Sequence, residues 1–596
     1  MEVTPDYRPL AAVLVSAVAV ALIVASHRHP NVREGWSVLA AVAKFAIVAS
    51  MLPGVMDGTV YEWRMGTFVE GVDLALRADP LGMLFALLAS FLWIFTAFYT
   101  TGYMRGLNEH AQTRFFAAFA ASLSTALGIA FAGNLVTIFI FYELLSLVTY
   151  PLVAHNEDDE ARIAGRKYLA YTFFGGGVFL LAGTVLTFWM TGRVGEATVE
   201  FQTGGMDAVA AAADADPLAA QVAFFLLVAG FAVKAAVMPL HSWLADAMVA
   251  PTPVSGLLHA VAVVKSGAFG VARVFLDVYG PGLAGDLTLS VPALGEMGVN
   301  VPVAGAAAFT LVAASVIALR KDHLKRRLAF STTAQLSYIV LGISMLHPYA
   351  ILGGLLHIPA HAFGKLTLFF CAGAIHVETH TDYVSEMAGI GKRMPLTMAA
   401  FTVGAAGMAG IPLVAGFVSK FYLLIGAIGG GWWLFAGALI ASGVLNVMYF
   451  WPIVYTAYFE DEWAHDAKPV YEYAPGGTPS SYFEDLDEPG HLATDGGESD
   501  VDQATTDGPD DVAQAGGREA GDHHADDDND HGHHGGPPPG GWERRSPIDE
   551  STWLMVGPIA LLAVGALVLG VVPGYAVFLD LAAYIAELVT GEVIFE

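Results

Sequence analysis

Five of the ten lysines in this chain fall inside long hydrophobic runs: Lys44, Lys234, Lys265, Lys365 and Lys420. A lysine near the centre of a membrane helix costs roughly 2.5–3.5 kcal/mol on insertion scales, so it is usually retained for a pathway or a partner. Glu143 joins them in IFIFYELLSL, with no other charge for several residues on either side. Burial disfavours the charged form of a lysine, and a nearby carboxylate favours it. A buried lysine whose carboxylate partner approaches and withdraws can therefore load and release a proton at neutral pH. In GGLLHIPAHAFGKLTLFF, His357, His361 and Lys365 recur every four residues, close to one helical turn, and form a polar stripe on one face. Histidine exchanges protons near neutrality, so the stripe reads as a relay. His259 and Lys265 are six residues apart, about 120° off a common face, and fit successive steps rather than a stack. Lys44 is expected to snorkel to the basic end of its helix.

Two of these lysines lie beside interrupted helices. Pro239 follows Lys234 in FAVKAAVMPLHSW, and Pro251 and Pro253 introduce the next run, which carries His259 and Lys265. The second interruption is GAAGMAGIPLVAGFVSKFYLL, with Pro412 between glycines and Lys420 beyond it. Broken helices at membrane depth are tolerated where protein or a water-filled cavity receives the freed backbone groups. Interrupted segments at corresponding positions of two halves point to an inverted-repeat transporter.

The elements that must hold these groups are membrane helices. The chain has 596 residues, is 55% hydrophobic and only 14% charged, and its mean hydropathy is +0.56. Runs long enough to span fall near 9–26, 37–57, 80–104, 115–132, 134–154, 166–190, 219–241, 253–276, 301–320, 328–346, 350–376, 396–427, 432–459 and 552–574. The fold class is an all-α polytopic membrane protein with fourteen spans, of which the seventh and twelfth are broken. Arg28 and Arg33 follow the first run instead of preceding it, the wrong polarity for a cleaved signal. Short loops after odd-numbered spans hold most of the Lys and Arg, whereas those after even-numbered spans hold little beyond Arg64, Arg77, Arg193 and Arg273. By the positive-inside rule both termini lie outside.

The net charge of −28 is concentrated between Glu460 and Glu550, where 25 acidic residues face four basic ones. This loop lacks apolar periodicity and is expected to be disordered and cytoplasmic; its acidity suits a protein bathed in concentrated salt, as in a halophile. His523, His524, His531, His533 and His534 are possible transition-metal ligands, but without fixed spacing or a scaffold no physiological metal site is expected there. The tail from Val577 is moderately amphipathic and is expected at the outer surface. The single cysteine, Cys371, excludes an intrachain disulfide and a cysteine-ligated iron–sulfur cluster. Neither a P-loop nor a dinucleotide-binding glycine motif appears, so no cofactor and no nucleic-acid partner is expected.

The stretches MPLHSWLADAMVAPTPVSGLLHAVAVVKSGAFGVAR, KDHLKRRLAFSTTAQLSY, HIPAHAFGKLTLFF and MAGIPLVAGFVSKFYL resemble the antiporter-like proton-translocating subunits. That family is shared by Mrp-type cation/proton antiporters, respiratory complex I and membrane-bound hydrogenases. YELLSLVTYPLVAH followed by AGRKYLAYTFFGG is most similar to the D-type branch of the Mrp-type proteins. The resemblance implies that Glu143 and Lys234 form a charge-coupled pair and that Lys265, with His259, is a relay in the eighth helix. It makes His357, His361 and Lys365 the link between two half-channels, and Lys420 the terminal lysine of the broken twelfth helix. Lys325 matches a basic position opening the tenth helix, where anchoring explains it equally well.

The family fold implies helices one to three over 1–114 and two inverted five-helix repeats, over 115–278 and 301–459. The acidic loop over 460–550 and a last span with its tail over 551–596 would follow. The implied function is proton translocation in a multisubunit monovalent cation (Na+)/H+ antiporter of the cell membrane, with other subunits, protons, Na+ and the bilayer as partners. Two alternatives are a proton-pumping, non-redox subunit of a quinone oxidoreductase or hydrogenase complex, and a structural membrane subunit without its own channel.

Overall fold

Helices form over every long apolar run, because in hydrocarbon each backbone polar group must be paired within its own segment. The computed structural model describes residues 1–69, 72–195, 197–292, 295–462, 535–538, 540–575 and 577–595. Twelve of its helices are long and apolar enough to cross a membrane. Spans one to six are Arg8–Ala25, Pro30–Met56, Pro80–Gly106, Gln112–Ala130, Leu135–Val153 and Asp159–Val194. Span seven begins with Pro217–Lys234, and spans eight and nine are Thr252–Val278 and Asn300–Ala318. Span ten is Leu324–Ser344, whose first turn carries Lys325, Arg326 and Arg327. Span eleven is Pro348–Thr379, and span twelve is a pair of shorter apolar helices, Pro395–Ala409 and Ala415–Gly429. Spans thirteen and fourteen are Trp433–Phe459 and Trp553–Val571. The chain is an all-α polytopic membrane protein.

The spans are not equally enclosed. Spans eight and eleven lie wholly inside the protein, whereas spans one, two and six turn most of their surface outward. The inner pair carries His259, Lys265, His357, His361 and Lys365, all at most 1% exposed. Local winding departs from the α-helix in spans six and eight, where Ala170–Gly176, Leu257–Val261 and Val274–Val278 form π-helical turns. Such turns often mark functional positions in helices, and one of them holds His259.

Two small sheets were not legible from hydropathy. Strands β1 (Glu2–Pro5), β2 (Thr59–Val69) and β3 (Val72–Ala78) form one sheet, parallel then antiparallel; β4 (Thr288–Val291) and β5 (Gly295–Gly298) form a hairpin. The first is built from the chain start and the loop after span two, the second from the loop after span eight. They also account for exceptional arginines in those loops. Arg64 pairs with Glu62 at 2.7 Å, Asp73 at 3.0 Å and Glu200 at 2.7 Å, and Arg77 pairs with Glu62 at 2.7 Å. Arg273 is buried at the end of the eighth span, held by Asp79 and Asp277 at 2.7 Å each. These arginines are neutralised locally.

Most of the acidic loop, with its five histidines, lies outside the described residues. Its final stretch departs from the expected disorder. Trp542 donates its ring N–H to the Ala388 carbonyl at 2.8 Å, and its backbone N–H to Glu462 Oε2 at 2.7 Å. Glu550 is buried and accepts hydrogen bonds from the Leu396 and Thr397 N–H groups, at 2.8 Å each, and from the Thr397 hydroxyl at 2.7 Å. It thereby satisfies donors that the start of the Pro395–Ala409 helix leaves without intrahelical partners. Burial raises its pKa, against those hydrogen bonds. The tail forms the helix Val577–Thr590, which buries one apolar face.

Candidate proton-transfer site

Both broken spans end their first helix in the same way. In span seven the Val237 N–H reaches back to the Ala232 carbonyl at 3.1 Å and the Ala236 N–H to Val233 at 3.2 Å, with Ala236 at φ +53°. In span twelve the Ile411 N–H reaches Ala406 at 2.9 Å and the Gly410 N–H reaches Gly407 at 3.1 Å, with Gly410 at φ +85°. Each is a Schellman ending, a left-handed residue followed closely by proline. The proline in span twelve has a second effect. Met408 lies in the last turn, where Gly410 ends the helix and Pro412, four residues on, has no N–H, so the Met408 carbonyl has no α-helical donor.

That carbonyl is where Lys420 arrives. Its Nζ donates to Met408 O at 2.5 Å and lies 4.6 Å from the Tyr338 ring centroid. The same oxygen accepts from Asn446 Nδ2 at 3.2 Å and Gln335 Nε2 at 3.4 Å. Gln335 continues the line, since its Oε1 lies 2.9 Å from His357 Nε2, while His357 Nδ1 lies 2.8 Å from the Ser419 hydroxyl. His357 and His361 follow one turn apart with ring centroids 6.2 Å from each other. His361 Nδ1 then lies 2.6 Å from Lys265 Nζ. Polar groups therefore run from Lys420 to Lys265 with one gap, between the two imidazoles.

The remaining residues are arranged differently. Lys365 donates to the Leu328 carbonyl at 3.0 Å and stands off that line. His259 packs against the Phe369 ring at 4.8 Å, and neither of its ring nitrogens has a hydrogen-bond partner. Lys325 donates to Ala250 O at 3.3 Å and is partly buried at the start of span ten. Lys234 is fully buried; its Nζ donates to the Tyr142 carbonyl at 2.5 Å and sits 3.4 Å from the Tyr142 ring centroid. Glu143 is the next residue, half-buried, with a buried Oε1 that has no hydrogen-bond partner. Its carboxylate lies over Gly177 of span six, where any Cβ would come within 2.5 Å of Oε1. No ion pair joins Glu143 to Lys234; the lysine bonds the backbone beside it.

Lys44 corrects an expectation. It does not snorkel: it is fully buried near the middle of span two, donating to the Leu123 carbonyl at 2.8 Å with the Trp93 ring 5.1 Å away. Span four packs against span two at that level and supplies the acceptor, so the lysine has no need to reach the surface. Gln335, Ser419, Tyr338 and Asn446 also join the line, without a charge or period to single them out in the sequence. Gln335 was detectable in principle, as an amide in the otherwise weakly polar helix STTAQLSY.

The chain is similar to known membrane proteins. Residues 132–445 match the model of the NADH:quinone oxidoreductase/Mrp antiporter transmembrane family. The chain is 32% identical over 429 residues to the NADH-quinone oxidoreductase subunit N of Desulforudis audaxviator, covering 72% of this chain and 81% of that relative. It is also 32% identical over 385 residues to a probable K(+)/H(+) antiporter subunit of Rhizobium meliloti, covering 64% of this chain but 36% of that protein. Among solved structures, a chain of the archaeal membrane-bound sulfane sulfur reductase matches with a TM-score of 0.73 and 21% identity, covering 98% of each chain. A chain of the Mrp complex from Dietzia sp. DQ12-45-1b matches with a TM-score of 0.71 and 20% identity, covering 98% of this chain and 97% of that one. Both neighbours come from membrane complexes. The chain belongs to the NADH:quinone oxidoreductase/Mrp antiporter transmembrane family.

Proposed function

We propose that this chain is the proton-translocating subunit of a multisubunit Na+/H+ antiporter of the cell membrane. The carrying observation is the polar line from Lys420 through Met408 O, Gln335, His357 and His361 to Lys265, inside the two enclosed spans. Glu143 and Lys234 lie at the other broken span and serve as the charge pair that admits or releases the proton. A proton moving against 100 mV needs about 2.3 kcal/mol, so a permanently connected wire would dissipate the gradient. Such a wire is interrupted between His357 and His361 and again at Met408 O, which only accepts from Lys420 and Gln335, and the two helix breaks supply backbone able to move. Basic loops after odd-numbered spans support termini on the outside and the acidic loop in the cytoplasm.

The test is Na+-driven proton movement in inverted vesicles from cells expressing the complete complex. Lys420→Ala is expected to reduce exchange to background while the complex still assembles. Wild-type exchange in the assembled variant would overturn the assignment of Lys420. A second reading, a proton-pumping subunit of a redox complex, is favoured by the 81% coverage of the NADH-quinone oxidoreductase relative. It requires proton movement in the same vesicles to depend on an electron donor rather than on a Na+ gradient.

A further inference from the structure

We propose that Glu109, His110 and His155 form a binding site for a transition-metal dication of the Zn2+ class. The site would join the loop after span three to the turn after span five. One potential ligand atom from each residue lies within 4.8 Å of the other two. Glu109 Oε2 is 3.5 Å from His110 Nδ1 and 3.7 Å from His155 Nε2. Tetrahedral zinc with ligands at about 2.0–2.1 Å has ligand–ligand edges of about 3.3–3.4 Å, so two edges need only a few tenths of an ångström. Glu109 and His110 retain solvent access, so small turns of these side chains can close the third edge. Two imidazoles with one carboxylate suit zinc-like ions better than calcium or magnesium, which prefer oxygen ligands.

Two further observations point to a cation. His155 is 0% exposed, and neither of its ring nitrogens has a hydrogen-bond partner. Leaving a polar group buried and unsatisfied is costly, so something must offset it. His110 Nε2 lies 3.0 Å from the His155 carbonyl, which can only accept; the N–H is therefore on Nε2. In the neutral ring this leaves the Nδ1 lone pair facing a carboxylate oxygen. Ligating histidines are oriented in this way, the second nitrogen donating to a carbonyl while the first binds metal. A proton on His110 or on His155 would relieve one of these contacts to Glu109 Oε2, whereas a dication engages both imidazoles and the carboxylate at once. The rings of His110 and His155 are already packed together, with centroids 4.6 Å apart, and the Phe115 edge holds His155 at 5.2 Å. An ion here would tie the end of the Glu143 helix to the neighbouring loop.

The test uses the full-length protein in detergent with His523, His524, His531, His533 and His534 all changed to asparagine, which removes competing imidazoles. After chelator stripping, ZnCl2 is titrated against a competing chromophoric chelator, and CoCl2 is followed by its visible spectrum. The expected result is one Zn2+ per chain and a low-symmetry Co2+ spectrum. His110→Ala, at a half-exposed side chain that should not disturb folding, is expected to weaken binding by about tenfold or more. His155→Ala should do the same if it folds. Absence of stoichiometric binding overturns the proposal, and so does one-to-one binding that is unchanged by both His110→Ala and Glu109→Gln.

Discussion

At the seventh span the helix closes with Lys234 in its last turn, and the neighbouring helix brings a carboxylate residue beside it. At the twelfth, the matching turn carries Met408, and the lysine comes from beyond the break, reaching back to the Met408 carbonyl. Lys234 and Met408 each stand two residues before the left-handed residue of the ending. The same backbone device thus serves two electrostatic designs. Where the lysine precedes the break, it bonds the backbone of another helix beside a carboxylate residue, without an ion pair. Where it follows the break, backbone dipoles and neutral amides hold it, and among the described residues no carboxylate pairs with it. Proton transfer at the first site should answer to charge, and at the second to geometry.

The largest expected effect breaks the first design. Glu143→Gln and Lys234→Met should each reduce vesicle exchange by about tenfold or more, and the double variant should be little worse than either alone, because one unit is lost. Fully additive losses in assembled complexes would dissolve the pairing and, with it, the contrast between the breaks. A smaller effect sharpens the second design. Pro412→Ala supplies an N–H that can compete with Lys420 for the Met408 carbonyl, and exchange is expected to fall several-fold at unchanged expression. If exchange is unaffected, the three-donor carbonyl is not part of the route. The smallest effect compares the endings themselves. Ala236 carries a left-handed penalty that Gly410 avoids, so Ala236→Gly should raise stability by up to about 1 kcal/mol. Gly410→Ala should lower it by about 1 kcal/mol or more, since the new Cβ would also lie 3.1 Å from Lys420 Cδ. Thermal unfolding of the purified protein reads both.

Much of this contrast was legible in the sequence because membrane helices leave strong traces. Fourteen apolar runs, two prolines beside lysines and a four-residue histidine period were enough to place nearly every candidate group on its helix. What could not be read was which backbone atom each lysine meets. Lys44 shows the limit: its position along the helix suggested the surface, and only the packing of the fourth span reveals the Leu123 carbonyl beside it. By sequence period Lys365 groups with His357 and His361. In the folded chain Lys365 turns to span ten, while Lys265 takes the place beside His361. The small sheets escaped because hydropathy windows are tuned to spans, and strands of four to eleven residues carry little signal at that length.

The contact between Glu462 Oε2 and the Trp542 N–H, at 2.7 Å, has a consequence for how the acidic insertion can vary. It brings the two ends of that insertion together at its base, with Lys392 on the same carboxylate at 2.5 Å. A chain segment whose ends are already joined adds to the folding balance mainly through the logarithm of its length, about 0.6 kcal/mol for each doubling. Insertions and deletions between those ends are therefore nearly neutral for the helices on either side. Length in this part of the sequence is free to vary, while the spans on either side stay as they are.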